Sequence, residues 1–133
     1  MENNGFNALP VYKDSLVLRD LSDAIAHYFS PEQKVRSRKS MGLRAVIAES
    51  LITDASLLPI TIEEAYKSNS LHYRIKNATF ISIITRNIIS YCNGLEKDGV
   101  KEEEYVRLLR KELKTFRKSF KQWRKSLING SAQ

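Results

Sequence analysis

Between Val106 and Leu127 seven bulky apolar residues, Val106, Leu109, Leu113, Phe116, Phe120, Trp123 and Leu127, are spaced by three and four in turn, with only Leu108 off that register and no Gly or Pro in the stretch. Three heptads of this alternation place all seven on one edge of an α-helix, which must bury that edge against other helices. Arg107, Arg110, Lys111, Lys114, Arg117, Lys118, Lys121, Arg124 and Lys125 take heptad positions b, e and f, away from the seam. Residues 106–133 hold nine Lys and Arg against the single Glu112, net +8, in a chain whose total is +7. The remaining residues therefore sum to −1.

Such a stripe is about 30 Å long at the helical rise and meets charge at the scale of several nucleic-acid phosphates, since a duplex carries one charge per roughly 1.7 Å. A face needed only for solubility would intersperse Glu, because i,i+4 ion pairs stabilise a helix. Here like charges stack at 110/114, 114/118, 117/121 and 121/125, each costing a few tenths of a kcal/mol. The pattern predicts an anionic partner.

A chain of 133 residues, 42% of them hydrophobic, supplies one core, and three prolines and five glycines leave long uninterrupted stretches. Both point to a single all-helical domain. The lone Cys92 lies in an apolar run, which argues against disulfides and suits a reducing compartment. MENNGFNALP has neither the charged nor the apolar region of an export signal, and no apolar run approaches the roughly 20 residues of a membrane span. A cytoplasmic protein is expected. A basic helix can also lie on an anionic membrane, but the narrow seam here suits a partner helix better.

In chain order, residues 1–9 read as a loose arm, 10–128 as the helical domain and 129–133 as a tail. The first long helix is expected over about 11–29. Ser30-Pro31-Glu32-Gln33 is a capping box opening a second, which Pro59 ends, and its first turns carry Lys34, Arg36, Arg38, Lys39 and Arg44 as a second basic patch. Thr61-Ile62-Glu63-Glu64 is a further capping box, opening a third helix that Gly94 stops in the left-handed conformation, with Ser68-Asn69-Ser70 a weak point near its start. Tyr73, Phe80, Ile81, Ile84, Ile88, Tyr91 and Cys92 form its expected core stripe. Ile75, Ile83 and Ile89 project from other faces, as a surface for self-association or as part of a wide stripe touching two neighbours. Glu102, Glu103 and Glu104 open the fourth helix, where the macrodipole favours negative charge. Four helices joined by short turns predict an antiparallel up-down-up-down four-helix bundle.

The chemistry-bearing residues are sparse. Asp23 lies four residues before His27, a weak pair that reads as an exposed hydrogen bond and not a ligand set, His72 has no such neighbour, and there is no Glu-x-x-His pair, P-loop or nucleophile elbow. An Arg-then-His spacing that could activate a ribose hydroxyl is not met either: Arg19 is the nearest Arg before His27, and it lies eight residues away. Neither an enzyme nor a cofactor is expected. Trp123, at a seam position, is core before it is a base-stacking platform.

Leu9-Pro10-Val11-Tyr12-Lys13, Met41-Gly42-Leu43, the Gly-bounded turn before the fourth helix and Lys121-Gln122-Trp123-Arg124-Lys125-Ser126, in that order and over about 9–127, resemble the accessory variability determinant family of diversity-generating retroelements. That family is related to four-helix-bundle proteins encoded in ribosomal RNA intervening sequences. The resemblance implies a non-catalytic homopentameric bundle that binds template RNA, cDNA or an RNA/DNA hybrid. Its partner would be the element's reverse transcriptase, in mutagenic cDNA synthesis and retrohoming. The third helix carries Arg86 as the one basic residue of ATFISIITRNIIS, fewer than is usual in the family, so contacts to nucleic acid are expected from the second and fourth helices. A ribosome-associated bundle, or a scaffold for an acidic protein, would use the same charge.

Overall fold

The seam is buried along its whole length. In the computed structural model, which describes residues 5–29 and 42–129, the fourth long helix runs Glu103–Asn129 with Glu103 and Glu104 in its first turn. Val106, Leu109 and Phe116 lose all contact with solvent, and even Trp123 keeps only 8% exposure. Each such side chain contributes about 1.5–3 kcal/mol on burial.

The helices are α1 (Gly5–Ala8), α2 (Pro10–Phe29), α3 (Leu43–Lys67), α4 (Leu71–Lys97) and α5 (Glu103–Asn129), with no strand among the described residues. α2 and α4 each pack on both α3 and α5. The four long helices thereby share one core, in which Leu18, Leu51, Leu58, Ile62, Ile81, Ile84, Ile88 and Phe116 are the large, fully enclosed members. Polar contacts bind helix ends: Tyr28 at the close of α2 donates to Glu102 before α5, and Arg44 at the start of α3 pairs with Asp98 after α4. Within the elements, Asp54 of α3 accepts from Tyr91 at 2.6 Å and from Asn87 of α4 at 3.3 Å.

The expected boundary at Pro59 does not exist. α3 passes through Pro59 to Lys67, although a proline there cannot donate to the Ala55 carbonyl and strains the helix by about 3 kcal/mol. Thr61, Ile62 and Ala65 are all buried on the far side of it, and a break would have lost that packing. Thr61 is accordingly no N-cap. It is buried, and its hydroxyl donates to the Leu57 carbonyl at 2.7 Å. The break falls instead at Ser68–Ser70, where Ser70 caps α4 by accepting from the Tyr73 amide at 3.1 Å.

Gly94 is likewise inside α4, not at its stop, and a Cβ there would lie 2.6 Å from Ile47 Cδ1. Its service is the close approach of α3. The left-handed residue is Gly99, at φ 74°, in the turn that leads to α5. Residues 5–8 of the expected arm form a helical turn, with the Phe6 ring edge-on to Tyr12 at 5.0 Å and Lys67 Nζ 5.3 Å from its centroid.

On α4 the buried arc is Asn77, Ala78, Ile81, Ile84, Thr85, Ile88, Cys92 and Leu95. Tyr73 and Phe80, expected in the core, are about two-fifths exposed, because a helix lodged between α3 and α5 centres its arc between those two neighbours. α3 is by length and composition the one described helix that could cross a membrane; its Ile47, Leu51, Leu58 and Ile62 are spent on the core. The capping box at Ser30–Gln33 lies outside the described residues.

Candidate nucleic-acid interface

Heptad positions b, e and f do not point straight away from the core. Arg110, at e, reaches Glu96 of α4, whereas Glu112, at g, has the charge of Asp14 on α2 for a neighbour. The stripe therefore leans toward α4. A groove of about 630 Å³ opens between the two helices, lined by Ser82, Thr85, Arg86 and Ile89 of α4 and by Lys114, Arg117, Lys118, Phe120, Lys121 and Arg124 of α5. No carboxylate lines it.

The cations divide into those already used and those left over. Arg110 grips Glu96 with two nitrogens at 3.1 and 2.8 Å and donates to Asn93 Oδ1 at 2.6 Å; the guanidinium holds the Glu96 carboxyl below its usual range. Arg107 lies 3.7 Å from Glu103. Arg44 pairs with Asp98 at 2.9 Å and donates to its carbonyl at 3.2 Å. Among the described residues, by contrast, Arg86, Lys114, Arg117, Lys118, Lys121 and Arg124 have no side-chain ion pair or hydrogen bond, nor do Lys111 and Lys125, and all eight are exposed.

This segregation extends to whole elements. α4 and α5 hold thirteen Lys and Arg against Glu96, Glu103, Glu104 and Glu112, while α2 and α3 hold four against seven Asp and Glu. Because α4 packs on α5, positive charge among the described residues gathers on the α4/α5 side, where it is attractive to polyanions. Glu112 stands at the border. Burial pushes its carboxyl above the ordinary range, and Asp14 adds to the shift.

The structure redistributes the residues marked in the sequence. Seven of the nine stripe cations are unpaired among the described residues, and five of those line the groove; Arg110 and Arg107 belong to ion pairs instead. Arg44 sits at the start of α3, engaged with Asp98 and outside the groove. Lys34, Arg36, Arg38 and Lys39 lie outside the described residues. Ile75 and Ile83 are exposed, at 40% and 44%, beside Phe80 on the outer face of α4. Ile89 does not join them; it packs against the core and lines the groove.

Arg86 is the residue that sequence reasoning set aside. A single Arg among Ile, Ser and Thr carries no local signal, and only the pairing of α4 with α5 brings it to the stripe. Trp123 is core, and Phe120, the one aromatic lining the groove, is 7% exposed, so no open ring face is offered to a base. Cys92 is fully buried, and burial pushes its thiol up to about 11. Among the described residues no three His, Cys, Asp or Glu side chains come together as a metal site would need. Comparisons with protein-family models, with curated proteins and with solved structures find no match for this chain.

Proposed function

We propose that this chain is a non-catalytic nucleic-acid-binding protein whose binding surface is the α4/α5 groove. The observation that carries it is the set of six exposed cations, drawn from two helices, with no carboxylate between them. Six like charges in one groove repel one another, and a phosphate backbone relieves that repulsion while releasing its own counterions. The pairs formed by Arg110, Arg107 and Arg44 show that acidic partners exist elsewhere on this chain, so their absence from the groove favours an external anion.

The finer reading follows the family resemblance. The protein would be the accessory subunit of a diversity-generating retroelement, acting in the cytoplasm. There it would hold template RNA and reverse transcriptase together during mutagenic cDNA synthesis. Its helices would run up-down-up-down as an antiparallel bundle, which the contacts of Tyr28 with Glu102 and of Arg44 with Asp98 support. Copies would assemble as a homopentamer, and the exposed Ile75 and Ile83 suit such contacts.

Reversing Lys114, Arg117, Lys118 and Lys121 to Glu should abolish RNA binding in a filter or anisotropy assay while the circular-dichroism spectrum stays helical, since all four are exposed outside the seam. Undiminished binding would remove the groove from the function. Co-purification of the tagged protein from its native cells tests the finer reading: a reverse transcriptase with one enriched noncoding RNA is expected, and ribosomal material alone would overturn it.

A further inference from the structure

Resting on the nucleic-acid reading, we infer that the groove takes the backbone of a double helix in preference to a single strand. The first reason is charge density. Lys114 to Arg124 spans about 15 Å of helix. Over that length one strand presents about four phosphates and a duplex about nine. The groove offers six cations. A single strand would leave some of them facing one another without an anion, whereas a duplex can neutralise all six.

The second reason is what the groove lacks. Proteins that hold single strands combine a basic track with aromatic faces on which successive bases stack. Here the aromatics on the same helix are almost wholly enclosed: Phe116 is buried, Trp123 is at 8% exposure, and Phe120, the one ring among the groove's lining residues, is at 7%. The exposed rings of Tyr73 and Phe80 are not among the groove's lining residues. Nothing in the groove rewards unstacking a base. The six Lys and Arg side chains that rim the groove, above a floor that includes Ile89 and Phe120, are instead suited to phosphate oxygens, which report backbone and not sequence.

The test uses the full chain, a 20-nucleotide DNA of mixed sequence without self-pairing, and its perfect duplex, compared by fluorescence anisotropy across a salt series. Tighter binding of the duplex by about tenfold is expected, with log K falling against log salt at a slope near −5 for the duplex and near −3 for the strand, from about six and four phosphate contacts. Arg86→Glu should flatten the duplex slope by about one without altering the helical spectrum. A single strand bound as tightly as the duplex would overturn the inference and leave the groove as a nucleic-acid site. Failure to bind either form would overturn the inference, and failure to bind RNA as well in the filter assay would overturn the nucleic-acid reading on which it rests.

Discussion

Two residues of α5 with the same charge have opposite uses, and substitution separates them. Arg110 spends its guanidinium on Glu96 and Asn93, so Arg110→Ala should lower stability slightly, as the loss of a solvent-screened pair does, and barely change nucleic-acid affinity. Arg117→Ala should do the reverse, weakening binding and flattening its salt dependence with no loss in a urea titration. Because pairing lowers the Glu96 pKa, the stability it brings is present above the ordinary carboxyl value of 4.5 and fades as pH falls through the folded value. The Arg110→Ala deficit should disappear in acid. Glu112 has the opposite sign. Its raised pKa means that the folded state favours the proton, so the carboxylate destabilises as pH rises through the folded value. Glu112→Gln should therefore stabilise at pH 7, by less than about 1 kcal/mol, and be neutral well below pH 4.5. A deficit at pH 7 would mean that the carboxylate has a partner the geometry does not reveal.

At the level of the element, α3 shows local propensity yielding to packing. Pro59 read as a terminus because it removes a hydrogen bond and crowds the preceding turn. The burial of Ile62 and Ala65 in the two turns beyond it outweighs that penalty. Pro59→Ala should relieve about 3 kcal/mol of strain against about 1.6 kcal/mol of lost burial for two methylenes. The net is a gain of about 1 kcal/mol, or a rise of about 4 °C in thermal denaturation. A fall in Tm would instead show that the bend imposed by proline is needed for the fit of α3 against α2. Gly94 and Gly99 make a related point. Gly94 reads as the stop in the sequence, yet the residue at positive φ is Gly99, and at Gly94 a Cβ would meet the Ile47 side chain.

For the whole molecule, the two faces of α4 that remain in view have different chemistry. One contributes Arg86 to the groove, and the other presents Ile75, Phe80 and Ile83 to solvent. If copies of the chain meet on the apolar face, Ile75→Glu with Ile83→Glu should reduce the sedimenting mass to that of one chain while leaving the helical spectrum unchanged. Wild-type protein that already sediments as a monomer would remove the assembly from the proposal. The all-helical class, the buried seam of α5 and the excess of positive charge opposite the acidic first turn follow from the order of residues, since periodicity assigns a face before any neighbour is known. The continuation of α3 through Pro59 and of α4 through Gly94, the unpaired state of Lys114 against the engagement of Arg110, and the recruitment of Arg86 do not follow from it. Each depends on which helix lies alongside, and that is settled by long-range packing between residues tens of positions apart, to which local propensity contributes little.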